Sequence, residues 1–122
     1  MNEYPFFLLA FACLIIHEMD AVRCHEWRVL PITSWMDDRV GFHVFMCLHL
    51  PLFVWLLWAL SGSTERARLA MEGLDIFMIV HVLLHILFIR HPKYEFRTVM
   101  SWVWIMGAGL AGAIDFAITR IG

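Results

Sequence analysis

The chain has 122 residues, 61% of them hydrophobic and only 16% charged, with a formal net charge of -2 and a mean hydropathy of +0.73. A water-soluble domain of this size needs more polar surface than so few charged side chains supply, so the composition predicts an integral membrane protein. The slightly acidic balance and the lack of a basic tract exclude nucleic acid as the expected partner.

In chain order, the N-terminal stretch MNEYPFFLLAFACLIIHE has no basic n-region and no small-residue cleavage signature. It reads as a retained first helix and not as a signal peptide. Four membrane-crossing helices are predicted, at about 5–28, 42–60, 69–90 and 98–119, because a span needs roughly 20 residues at about 1.5 Å of rise each. The first reaches that length only by carrying His17, Glu18, Asp20, Arg23, His25 and Glu26 along with it. Breakers separate the four: Pro31 with Thr33 and Ser34, the SGSTE turn from Ser61 to Glu65, and His91-Pro92. Pro51 falls inside the second helix, where a membrane protein tolerates a kink. The expected fold is therefore an all-α, up-and-down, four-helix membrane bundle forming a single domain.

The first and third connections carry Arg23, Arg28, Arg39, Arg90, Lys93 and Arg97, against Arg66, Arg68 and Arg120 at the other end. That bias predicts cytoplasmic first and third connections and periplasmic termini, with a bacterial inner membrane as the expected location. In the fourth helix GAGLAGA, Gly107 to Ala113, repeats small residues four apart and predicts a close helix contact. Cys13, Cys24 and Cys47 form no CxxC and are odd in number, which predicts neither a disulfide framework nor a zinc knuckle.

Alternating helix directions bring six histidines, all but His91, into one half of the bundle. On helix 1 the ~100° step per residue puts His17, Ala21, Cys24, His25 and Arg28 on one face, with Glu18 beside it. On helix 3, His81 and His85 make an HxxxH pair in HVLLH, spaced so that one ion can hold both rings. Helix 2 adds His49, while His43 lies at the boundary. Ionisable groups inside a membrane are costly and point to function. The expected metal ligands are His17, Glu18, His25, His49, His81 and His85, with Glu18 and Asp20 as candidate catalytic carboxylates. Glu26, Arg28, Asp37 and Asp38 read instead as salt-bridged interfacial residues, Asp20 and Glu26 pairing with Arg23. Asp115 reads as an interfacial cap, and the role of Asp75 stays open.

HEMDA lacks the second histidine of HExxH, and no ExxH is present, so neither a zinc-protease nor a ferritin-like signature applies. Imidazole with carboxylate suits zinc or non-haem iron, one ion or two. The HxxxH pair and the further histidines near helix ends resemble the histidine-box membrane enzymes, the fatty acid hydroxylases and desaturases, although no HxxHH box is present. That resemblance implies two irons that oxidise lipid. HEMDAVRCHEW in a four-helix chain also resembles small bacterial membrane families with a His–Glu motif in the first helix, such as the HXXEE group, which implies no particular activity. The expected function is an intramembrane metal-dependent enzyme acting on a lipid or small apolar substrate by metal-activated water or oxygen. The alternatives are a haem-binding electron carrier using two of the histidines, or a proton or ion transporter using His and Asp. A homo-oligomer is left open.

Overall fold

A computed structural model describes residues 4–121. It is all-helical: α1 (Pro5–Arg23), a short 3-10 turn (Glu26–Arg28), α2 (Asp38–Leu60), α3 (Thr64–Phe88) and α4 (Val99–Ile121). Among the described residues, these four helices are long and apolar enough to cross a membrane, as expected from the composition. Their outward faces carry large apolar side chains such as Leu8, Leu57, Leu87 and Leu110, the surface that lipid covers.

The bundle is built around α4. It packs most extensively on α1 and α3, whereas α2 leans mainly on α3 and the 3-10 turn and meets α1 through the Glu18–His49 pair. Small residues make that central position workable. A Cβ on Gly109 would run into the Val82 side chain, and one on Gly112 would lie 3.3 Å from Met78 Cε. Glycine at both positions lets the α4 backbone approach α3 as the GAGLAGA spacing anticipates. Gly109→Leu is expected to wedge the two helices apart at a cost of about 1–3 kcal/mol. A lowered unfolding midpoint in detergent, with Gly73→Leu as the matched control at an unobstructed position, checks this.

α1 is shorter than its predicted bounds. Pro5 starts it in the first helical position, where its missing N–H costs nothing. The Tyr4 side chain before it provides no cap; Asp115, reaching over from α4, accepts a hydrogen bond from Phe7 N at 3.1 Å. Asp115 thus is a cap, supplied across the bundle. Asp75 is buried beside it, with Oδ1 unpartnered among the described residues.

At the other end α1 stops at Arg23, not near residue 28, because His25 takes a left-handed conformation (φ 50°, ψ 48°). That reversal turns the chain back beneath the bundle, so His25 and Arg28 leave the face they would share with His17 on a continuous helix. The remaining helices also shift from their expected bounds: α2 starts earlier because Asp37 caps it through Arg39 N, and α3 starts earlier because Ser63 caps it through Arg66 N.

Candidate metal centre

Two helices and the first connection place the central side chains. His17 projects from the buried face of α1, which also carries Ala10, Leu14 and Ala21. His81 and His85 come from successive turns of α3. The three ring centroids form a near-equilateral triangle, with His17–His81 at 4.7 Å, His17–His85 at 4.8 Å and His81–His85 at 4.6 Å. His17 Nε2 lies 3.3 Å from His85 Nε2. Tetrahedral metal–nitrogen bonds of about 2.0–2.1 Å set neighbouring ligand atoms roughly 3.3–3.4 Å apart, so this pair already has a coordination spacing.

The fourth group is Glu26, whose Oε1 lies 3.7 Å from His85 Nε2. His17, Glu26, His81 and His85 are all buried, and their donor atoms lie within 4.8 Å of one another. They form a group able to hold a metal ion. The donor set fits one: imidazole and carboxylate together suit a divalent transition-metal ion. His17 Nδ1 is also buried without a partner among the described residues, an omission that costs about 1–3 kcal/mol unless something else satisfies the ring.

Glu26 is held there from both sides. His25, just before it, meets Glu95 through Nδ1 at 2.6 Å. Just after it, Trp27 Nε1 and Arg28 both donate to Asp38 at the start of α2, Arg28 through two nitrogens at 2.5 and 2.9 Å. Thr33 Oγ1 then donates to the Trp27 carbonyl at 2.7 Å, closing the loop. Burial pushes the Glu26 carboxyl up to about 8, with the nearby Glu18 adding to the rise and His49 opposing it.

The third connection roofs the site. Lys93 to Arg97 alternates, with Tyr94 and Phe96 buried and Lys93, Glu95 and Arg97 exposed. The Tyr94 hydroxyl meets His85 Nδ1 at 2.9 Å, and the Phe96 ring packs 4.7 Å from His85 and 5.3 Å from His17. Burial pushes the Tyr94 hydroxyl upward, so it stays protonated at neutral pH. A cleft of about 50 Å³, lined by Val29, Leu30, Leu84 and Phe88, reaches Glu26, His81 and His85.

The remaining sequence candidates sit elsewhere. Glu18 pairs with His49 Nε2 at 3.0 Å, and His49 Nδ1 donates to the Phe45 carbonyl at 2.7 Å. This pair lies beside the four-group cluster but is not part of it. His25, expected as a ligand, is turned out to Glu95. Asp20, expected as a catalytic carboxylate, accepts from Arg23 Nε at 2.7 Å and Ser101 Oγ at 2.5 Å, fastening α1 to α4. His43 is exposed. Glu26 corrects the opposite way: it does not pair with Arg23 but enters the buried group. Tyr94 and Phe96 went unread too, although strict polar–apolar alternation through KYEFR marks them as facing inward.

Residues 4–121 match a protein family described as "Family of unknown function (DUF6713)". The chain belongs to that family. No curated protein and no solved structure matches it. The match runs from the residue before α1 to the last residue of α4, so the cluster and all four helices lie within the family's extent.

Proposed function

We propose that this chain is an intramembrane metal-dependent enzyme in which His17, His81 and His85 hold one zinc or non-haem iron ion and Glu26 acts as base or exchangeable fourth ligand. The observation that carries this reading is the triangle of buried imidazoles with a buried carboxyl at its edge. One ion is favoured over two because Glu18 and His49, which a second ion would need, satisfy each other.

A divalent ion bound there would polarise a water molecule or a substrate oxygen. The chain's own residues supply the rest. Tyr94 fixes the His85 ring through Nδ1, leaving Nε2 directed at the cluster. Phe96 and Tyr94 exclude bulk water. Glu26 sits on a turn and not on a helix, 3.7 Å from His85 Nε2, and its carboxyl is poised to take or give a proton. The apolar cleft beside it supports a lipid or another small apolar substrate, of which only a narrow end enters. A cleft of about 50 Å³ has no room for a macrocycle, which argues against the haem alternative. The Lys and Arg surplus of the first and third connections supports a cytoplasmic-side location for the centre.

Elemental analysis with an absorption spectrum on detergent-purified chain tests the proposal. About one zinc or iron per chain is expected, without a Soret band. A metal-free chain that takes up neither ion on titration would refute it.

A further inference from the structure

A second feature lies at the opposite end of the bundle, where α2 hands over to α3. A cleft of about 420 Å³ opens between the two helices, within the range of small-ligand sites. Trp55, Trp58, Leu69 and Gly73 give it a mainly apolar wall, with Glu65 and Arg66 among the groups that line it. Its depth comes from small side chains: Ala59 and Ala70 are buried against the helix contact, and a Cβ on Gly73 would meet nothing within 4 Å.

One cation faces this cleft. The Arg66 guanidinium stacks 4.0 Å from the Trp58 ring centroid. It also lies across Gly62, where any Cβ would collide with it, so the absence of a side chain there lets the stack form. The neighbouring carboxylates are taken: Glu65 pairs with Arg68 at 2.8 Å, while Glu72 accepts from Arg68 and forms an ion pair with Arg120. Arg66 has no carboxylate partner among the described residues, and its Nε is buried without an acceptor. A guanidinium fixed in orientation, short of an acceptor, and set over an apolar slot is complementary to an anionic head on a hydrocarbon chain.

We propose that this cleft is a binding site for an anionic phospholipid, its phosphate on Arg66 and one acyl chain along Leu69, Ala70 and Gly73. The depth fits: tryptophans at the ends of membrane helices sit at headgroup level, where a guanidinium meets a lipid phosphate. The site involves none of the metal-binding residues.

Chain reconstituted in nanodiscs of equal phosphatidylglycerol and phosphatidylcholine, with identical acyl chains, is delipidated gently and its retained lipid counted by native mass spectrometry. The expected result is about fivefold enrichment of phosphatidylglycerol, reduced to parity by Arg66→Gln. Gly73→Leu, placed where the backbone leaves room, fills the slot and lowers retention of that lipid while Arg66 is intact. Oleate competes only weakly, and inorganic phosphate not at all. Equal retention of the two lipids by the unaltered chain would overturn the site, as would enrichment that survives both substitutions. Displacement by inorganic phosphate or by equimolar oleate would also overturn it, since the ligand would then be a free anion or a fatty acid.

Discussion

His85→Ala, purified beside the unaltered chain from zinc-supplemented cells, is expected to lose its bound ion, the metal-to-protein ratio falling from about one to background. His17→Ala and His81→Ala should do the same, because each removes one corner of a triangle whose sides are 4.6 to 4.8 Å. The informative comparison is with His49→Ala. His49 lies at the same level of the bundle and carries a carboxylate partner, yet its ring is satisfied by Glu18 and the Phe45 carbonyl. The ratio should therefore hold in His49→Ala and in His25→Ala. Tyr94→Phe keeps every ligand but releases His85 Nδ1, and a loss of about 10–100-fold in affinity is expected from the freed ring. If His49→Ala loses the metal while His81→Ala keeps it, the centre has been assigned to the wrong groups.

That contrast marks where sequence reasoning succeeded and where it failed. The helix number and the close approach of α4 follow from local composition and spacing, which the packed bundle leaves unchanged; Asp115 is the cap expected, but of α1 and from across the bundle. HxxxH on α3 was legible for the same reason: a four-residue step on one helix fixes two rings on one face whatever the neighbours do. His17 followed from depth alone. Glu26 did not, because its position depends on a single backbone reversal. Reading α1 through to residue 28 carries Glu26 away from the helix face that holds His17; the left-handed His25 swings it back under the rings. Histidine is not the residue that usually announces such a turn, and the contacts that hold it (His25 with Glu95, Trp27 and Arg28 with Asp38) join segments 10 to 70 positions apart. Periodicity on a single helix contains no record of those partners. Glu18 and His49 show the converse. Both lie at the right depth, but each satisfies the other, and depth alone cannot distinguish a ligand from half of a closed pair.

The burial of Glu26 has a thermodynamic consequence for the metal-free chain. The unfolded carboxyl titrates near 4.5, and the folded one near 8, chiefly because burial disfavours its ionised form. Between those values the unfolded state holds fewer protons than the folded state, so stability falls as pH rises. The contribution is fully present below the ordinary carboxylate value and lost as pH climbs through about 8, on the order of a few kcal/mol in total. Thermal unfolding of chelator-treated protein in detergent, followed by tryptophan fluorescence at pH 5.5 and 8.5 beside Glu26→Gln, should show the unaltered chain's midpoint falling by several degrees relative to the variant's at the higher pH. Glu26→Gln cannot ionise, and the other titrating groups are shared by the two chains and cancel in the comparison. Loading the ion should reverse the sign, since imidazoles and carboxylate bind metal only after giving up their protons, and stability gained from the ion then grows with pH. A difference between the two midpoints that stays the same at both pH values would mean that this carboxyl is reached by water and is not the buried group at the edge of the histidine triangle.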